Sequence, residues 1–240
     1  MGEYKVKLVN RREVAEKTMA FHFQKPPDFQ FKPGQYADLT LINPPETDSE
    51  GNIRSFSIAS APFEPALMFT TRMRDSAFKR VLKTLPIGAE ISLAGPMGSF
   101  TLHNNAKKPG IFLAGGIGIT PFLSIILQSA KERLPHQLCL FYSNRRPEDA
   151  PFVRLLREAG EANPNFRFIP TMTQMAKSRQ EWDGETGLID RRLLEKHIQS
   201  LGGPIYYTAG PPAMVSALRK MLIEAGVDED DIRSEEFAGY

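Results

Sequence analysis

The hydrophobic pattern of this chain changes period once, across Asn104-Asn105-Ala106-Lys107-Lys108-Pro109-Gly110, and that change limits the possible folds more than any other feature. Before it, apolar and polar residues alternate in short runs, as in Tyr4-Lys5-Val6-Lys7-Leu8, Met19-Ala20-Phe21-His22-Phe23 and Ala37-Asp38-Leu39-Thr40-Leu41. After it, apolar runs alternate with stretches of helical period. A period of two and a period of 3.6 cannot serve one kind of element. The chain of 240 residues, 41% of them hydrophobic, has enough apolar surface for two cores. Two domains are therefore expected, 1–104 and 105–240, joined at the polar stretch.

In the first half, Pro26-Pro27-Asp28, Pro33-Gly34, Asn43-Pro44-Pro45 and Gly51-Asn52 are turn chemistry between strands, and Glu90-Ile91-Ser92-Leu93 follows the turn at Ile87-Gly88. Many short strands closing on themselves predict an antiparallel β-barrel. One helix, Ala77 to Leu85, interrupts them, with Ser76 as its N-cap. In the second half, strands are expected at Ile111–Gly115, Leu138–Tyr142, Phe166–Pro170, Ile205–Thr208 and Ile232–Phe237. Helices are expected at Phe122–Arg133, Phe152–Ala159, Arg191–Gln199 and Ala213–Ala225. Such alternation predicts an α/β doubly wound parallel sheet that binds its ligands at the carboxyl ends of the strands.

The bulk properties exclude several classes. Thirty basic and 28 acidic side chains give a formal net charge of +2, so no electrostatic footprint for nucleic acid or a membrane surface exists. Cys139 is the single cysteine, which rules out an internal disulfide and any cluster held by several thiolates of this chain. Its apolar setting, Leu138-Cys139-Leu140-Phe141-Tyr142, suits a buried thiol. No run approaches the roughly 18 apolar residues of a membrane helix. No signal-like segment opens the chain, and a cytoplasmic protein without membrane insertion is expected. The four histidines, His22, His103, His136 and His197, have no metal-ligand spacing and are read as surface or strand residues. No metal site is expected.

Three segments carry chemistry. Arg54-Ser55-Phe56-Ser57 offers a cation, an aromatic face and a hydroxyl in one strand, with Arg54 and Phe56 on one side and Ser55 and Ser57 on the other. Leu113-Ala114-Gly115-Gly116-Ile117-Gly118-Ile119-Thr120-Pro121 runs from a strand into a helix; its glycines admit a close anion, and Thr120 is placed to cap the helix. It departs from the dinucleotide fingerprint because Thr120-Pro121 stands where a third glycine is expected. Ala209-Gly210-Pro211-Pro212-Ala213-Met214 repeats the device after Ile205-Tyr206-Tyr207-Thr208. Two such turns at carboxyl ends would flank one cleft.

Together with Phe31-Lys32-Pro33-Gly34-Gln35-Tyr36, Gly95-Pro96-Met97-Gly98-Ser99-Phe100 and Glu235-Glu236-Phe237, these segments resemble, in order and spacing, the ferredoxin-NADP reductase superfamily. The resemblance covers nearly the whole chain. It implies a flavin-binding barrel followed by an NAD(P)-binding domain. Arg54 then corresponds to the arginine at the flavin phosphate, Ser55 lies within the motif, Phe56 corresponds to the stacking aromatic, and Ser57 to the hydroxyl near flavin N5. Phe56 stands where the family usually has tyrosine, so stacking persists without the phenol. Thr71, Arg72 and Met73 resemble the strand at the flavin edge, and Ser76 the serine of the phosphate site, with Arg74 adding charge. Gly116, Gly118 and Thr120 resemble the pyrophosphate cradle, and Gly210, Pro211 and Met214 the segment below the nicotinamide. Glu235 and Phe237 hold the places of the terminal carboxylate and aromatic, and Phe237 or Tyr240 is expected to cover the second flavin face. Ser57 and Glu235 are the candidate catalytic residues.

The resemblance implies FAD, with FMN as the alternative. After Leu140-Phe141-Tyr142-Ser143, Asn144-Arg145-Arg146 offers arginines for a 2′-phosphate and no acid for a ribose, so Arg145 is a candidate nucleotide contact. The choice between NADPH and NADH stays open. The expected function is an NAD(P)H-dependent flavin oxidoreductase: hydride passes to flavin N5 and electrons onward to a separate acceptor, a ferredoxin, flavodoxin, haem protein or small molecule. The alternative is a non-enzymatic flavin-binding electron relay or redox sensor in a larger complex, motivated by Ala209 where these reductases commonly have cysteine.

Overall fold

The computed structural model describes residues 2–237. Its first half is built from β1 (Gly2–Ala15), β2 (Thr18–Gln24), β3 (Tyr36–Leu41), β4 (Ile53–Ser57), β5 (Ala66–Arg72), the helix α1 (Ala77–Thr84) and β6 (Glu90–Met97). The strands form an antiparallel sheet in the order β4-β3-β6-β1-β2-β5. The long β1 serves both β6 and β2; its register shifts at Leu8/Asn10 and Glu13/Ala15, the kind of irregularity that lets one strand turn a barrel corner. The edge strands meet just beyond β4, where the Ala59 N–H donates to the Met68 carbonyl at 2.8 Å.

The alternation read from the sequence works as expected. Val6, Leu8, Phe21, Phe23, Leu39, Leu41, Ile91 and Leu93 pack into one core with Phe29 and Phe78. The helix α1 closes that core with Phe78, Val81 and Leu82, and Ser76 caps it by accepting from the Lys79 N–H at 3.4 Å.

The second half begins with β7 (Gly110–Gly115) and continues through α2 (Ile119–Glu132), β8 (Leu138–Asn144), α3 (Val153–Ala162), β9 (Phe166–Met172), β10 (Glu185–Thr186), α4 (Arg191–His197), β11 (Ile205–Gly210), α5 (Pro212–Glu224) and β12 (Ile232–Glu236). All six strands are parallel, in the order β10-β9-β8-β7-β11-β12. Each strand splits its side chains between two layers. Ile111 and Leu113 face α4 and α5 through Leu193, Leu194, Leu218 and Leu222, while Phe112 and Ala114 face α2 and α3 through Phe122 and Leu156. The second of these clusters runs on into Ala20, Ala59, Met68 and Phe100 of the barrel side, so the two halves share a continuous apolar junction.

Two sequence expectations are corrected, and one short strand is added. Thr120 does not cap α2: Gly118 is the N-cap residue, and the Thr120 hydroxyl donates to the Ile117 carbonyl at 3.1 Å, because the helix starts at Ile119, earlier than Phe122. His103 and His136 are not surface residues. His103 Nδ1 meets the Tyr207 hydroxyl at 2.9 Å and His136 Nε2 meets the His103 carbonyl at 2.8 Å, so the pair ties the connecting segment to β11. A two-residue strand, β10, follows Trp182, whose indole N–H donates to the Glu185 carbonyl at 2.8 Å. No helix among the described residues is long and apolar enough to cross a membrane.

Candidate active site

The order of the parallel sheet reverses at β7, whose neighbours β8 and β11 lead away in opposite directions, and a cleft at the carboxyl ends of such strands is the expected ligand site. A cleft of about 640 Å³ opens there against the barrel. From the barrel come Arg54, Ser55, Phe56 and Ser57 of β4, Thr70, Thr71 and Arg72 of β5, and Arg74, Ser76 and Lys79 at the start of α1. Ile117 of the glycine-rich turn, Thr120 at the start of α2, Glu235 of β12 and Phe237 just beyond that strand line the opposite wall. The chain thus brings Arg54 and Glu235, 181 positions apart in sequence, into one wall-to-wall space.

The faces of β4 are as the alternation predicts. Arg54 lies over the Phe78 ring at 5.3 Å and Phe56 packs on the same ring at 5.9 Å, while Ser55 donates to Asp38 on the other face at 2.5 Å. Ser57 is buried at the strand end. Arg54 is held by its own loop. Its terminal nitrogens donate to the carbonyls of Glu50, Gly51 and Ile53 at 2.9, 3.1 and 2.7 Å and pair with Asp48 at 3.2 Å and Glu50 at 2.8 Å. Of the five guanidinium N–H groups, Nε–H is left without a partner among the described residues. The other Asp48 oxygen accepts from the Ala77 N–H at 2.9 Å, and that bond, with Arg54, holds its carboxyl below the usual range. Asp48 therefore bolts Arg54 to the N-terminus of α1.

Lys79, one turn into α1, has no ion pair among the described residues, and burial together with Arg74 and Arg54 pushes its ammonium down. Arg54, Arg74 and Lys79 converge on one end of the cleft, where a phosphate would neutralise them. Sequence reading missed Lys79; its signal was its place three residues after the capping Ser76. It also missed Asp48, which no local pattern marks.

Two buried polar atoms in the cleft lack a protein partner: the Thr70 hydroxyl and Glu235 Oε2. Burial raises the Glu235 carboxyl to about 7. A polar ring bearing donors and acceptors would satisfy both atoms, and the aromatic Phe56 and Phe237 offer ring faces beside them. The residues present therefore fit a flavin. Thr70 was overlooked in the sequence because its neighbour Thr71 carried the motif.

Of the remaining sequence candidates, Met73 lies beneath the barrel wall, its N–H donating to the Lys17 carbonyl at 2.7 Å, and does not line the cleft. Gly116, Gly118, Gly210, Pro211 and Met214 stand behind the wall, where the two turns pack on each other: a Cβ on Gly115 would lie 2.3 Å from Met214 Sδ, and one on Gly118 2.2 Å from the Ala209 carbonyl oxygen. Arg145 is exposed, with no ion pair among the described residues, whereas Arg146 pairs with Asp149 and Glu16. Tyr240 lies outside the described residues.

Comparison with known proteins agrees with this geometry. Residues 112–220 match the oxidoreductase NAD-binding domain family. The chain is 30% identical over 230 residues to the reductase component of propane 2-monooxygenase from Mycolicibacterium smegmatis, covering 89% of this chain and 61% of that protein. It is 29% identical to the corresponding Rhodococcus jostii component, covering 89% and 57%. It spans about three fifths of the length of these relatives. A ferredoxin NADP+ reductase from Neisseria gonorrhoeae superposes with a TM-score of 0.80 at 22% identity, over 98% of both chains. The chain has the two-domain fold of that ferredoxin NADP+ reductase, an antiparallel barrel followed by a parallel sheet with helices.

If Arg54 is a phosphate anchor as well as a loop anchor, Arg54→Ala removes a charge-assisted contact, typically worth about 1.5–3 kcal/mol. Flavin Kd, followed by the quenching of flavin fluorescence on binding, is expected to rise at least about tenfold. An unchanged Kd would assign Arg54 to the loop alone.

Proposed function

We propose that this chain is a flavin-dependent NAD(P)H oxidoreductase that takes hydride from a reduced nicotinamide and passes electrons to a separate acceptor, a protein or a small molecule. The observation that carries the reading is the cleft itself. One wall offers cations, an aromatic face and hydroxyls at the barrel, and the other offers a carboxyl held near neutrality beside a glycine-rich turn at the sheet's switch point. FAD is the flavin this reading adopts, on the family's pattern.

A bound flavin would supply the hydride-accepting and electron-passing chemistry. The chain supplies position and charge. Arg74 and Lys79, with Arg54, would hold phosphate at the start of α1, and Phe56 would fix the ring plane. Ser57 and Thr70 would hydrogen-bond the ring edge, Ser57 near the reacting atom. Glu235, with a carboxyl near 7, can hold or release a proton in the cleft at neutral pH. The turn at Gly116–Gly118 and the start of α2 would carry the dinucleotide pyrophosphate. Arg145, exposed and unpaired among the described residues, is the side chain free to meet a 2′-phosphate. The acceptor is external to the chain on this reading, because the single buried Cys139 cannot hold a cluster.

The purified protein is expected to be yellow, and its visible bands are expected to bleach when NADH or NADPH is added without oxygen. A colourless protein that takes up no added flavin would end the proposal. A yellow one that neither nucleotide bleaches would leave only a relay or sensor role.

A further inference from the structure

On one flank of the cleft the two domains are joined by a cluster of charges that neither flavin nor nucleotide chemistry requires. Arg146, just after β8, grips Asp149 in a two-point contact, Nε to Oδ2 at 2.8 Å and Nη2 to Oδ1 at 2.9 Å. The same Nη2 reaches across to Glu16 Oε2, in the turn between β1 and β2 of the barrel, at 2.9 Å. Arg72, at the end of β5, donates to the Asp149 carbonyl at 3.2 Å, with its other terminal nitrogen 3.9 Å from Oδ1. The Glu16 N–H donates to the Glu148 carbonyl at 2.8 Å, so backbone as well as side chains cross the junction.

The Asp149 side chain is 8% exposed, Arg146 22% and Arg72 23%, with Glu16 more open at 39%, so the cluster is partly withdrawn from water around Asp149. Charges withdrawn from water cost free energy unless their geometry is well met, and two-point arginine–carboxylate contacts fix direction as well as distance. The guanidinium that sequence reading offered to a 2′-phosphate is turned to carboxylates. Its neighbour Arg145 stands on the same short loop, exposed. Arg72 lines the cleft while holding the loop.

We propose that Arg146 and Asp149, with Arg72 and Glu16, form an interdomain clasp that sets the spacing between the barrel and the nucleotide-binding sheet, and that Arg146 and Asp149 are thereby positioning residues for hydride transfer. The second clause rests on the oxidoreductase reading above. A displacement of the reacting partners by about 1 Å can cost up to about a hundredfold in rate, so a loosened clasp acts on the transfer step and not on the affinity for either ligand. Arg146 as clasp, unlike Arg146 as phosphate reader, affects NADH and NADPH alike.

The test uses the flavin-loaded full chain with Asp149→Asn, and with Glu16→Gln as a milder variant at a more exposed position. In Asp149→Asn the limiting rate of anaerobic flavin bleaching is expected to fall about tenfold or more, by the same factor for both nucleotides, with flavin occupancy and reduction by dithionite unchanged. Glu16→Gln is expected to show a smaller loss of the same kind, and Arg146→Lys no rescue, since an ammonium cannot make the two-point contact. Amide hydrogen exchange at residues 15–18 and 145–150 is expected to accelerate in each. Unchanged exchange would overturn the clasp. Accelerated exchange with an unchanged limiting rate would overturn the positioning role, and a loss confined to NADPH would return Arg146 to nucleotide recognition. A wild-type flavin that neither nucleotide bleaches would sink the oxidoreductase reading instead, while the exchange data would still decide the clasp.

Discussion

Gly118→Ala is expected to cost this protein about 3 kcal/mol of stability and to raise the KM for nicotinamide nucleotide at least about tenfold. The cause is steric. A Cβ on Gly118 would stand 2.2 Å from the Ala209 carbonyl oxygen and 2.7 Å from the Gly210 nitrogen, both backbone atoms of the facing turn. Backbone cannot rotate out of the way as a side-chain end does, so the turn after β7 and the turn after β11 must separate, and overpacking of this kind costs about 1–3 kcal/mol or more. Those two turns flank the site where a dinucleotide would lie, which links the stability loss to binding. Gly115→Ala is the internal control: its Cβ would meet Met214 Sδ at 2.3 Å, a flexible thioether, and Pro211 Cδ at 3.0 Å. Its denaturant midpoint is expected to move less than that of Gly118→Ala. Equal midpoints for the two variants would mean that the turns are not held at a fixed distance.

Glu235→Gln is expected to stabilise the protein at pH 8 and leave it unchanged near pH 4. Burial lifts the Glu235 carboxyl from 4.5 to about 7. Below pH 4.5 the folded and unfolded chains both carry the proton, and no penalty exists. As pH rises toward 7 the unfolded chain ionises first, so stability falls, and above 7 the loss is complete. At about 1.4 kcal/mol per pKa unit the penalty is at most ~3.5 kcal/mol, and the neutral amide removes it. Urea denaturation at both pH values measures this directly; a variant no more stable than wild type at pH 8 would show that Glu235 carries no such strain. If Glu235 handles the proton in turnover, the wild-type pH–rate profile of flavin bleaching bends near pH 7 and the Glu235→Gln profile does not.

Much of the fold was legible because the two halves obey different periodicities over lengths that local signals can resolve. Tyr4 to Leu8, Met19 to Phe23 and Ile111 to Gly115 are strands where alternation or apolar runs placed them, and Ser76 caps α1 as its type and position foretold. The site was legible as segments. Arg54, Phe56, Ser57, Thr71, Ser76, Thr120, Glu235 and Phe237 do line one cleft. What escaped were residues whose role comes from a distant neighbour. Asp48 sits in a loop of turn residues, and only the approach of Ala77 and Arg54 makes it a bolt. Asp149 reads as an acid in a turn until Arg72, 77 positions earlier, reaches its carbonyl. His103 and His136 look like surface residues until Tyr207 closes over the connecting segment.

The division has one physical reason. Local sequence decides what short-range forces decide: the strand period, the helix cap, the turn, and which side chains of Arg54-Ser55-Phe56-Ser57 share a face. Those were settled within the chain's first half and its second half separately, down to the change of period between Asn104 and Gly110. Burial and charge pairing depend on what arrives from elsewhere in the chain. The raised carboxyl of Glu235, the orphaned hydroxyl of Thr70 and the diversion of Arg146 from solvent to Asp149 and Glu16 exist only once the barrel and the parallel sheet are packed together.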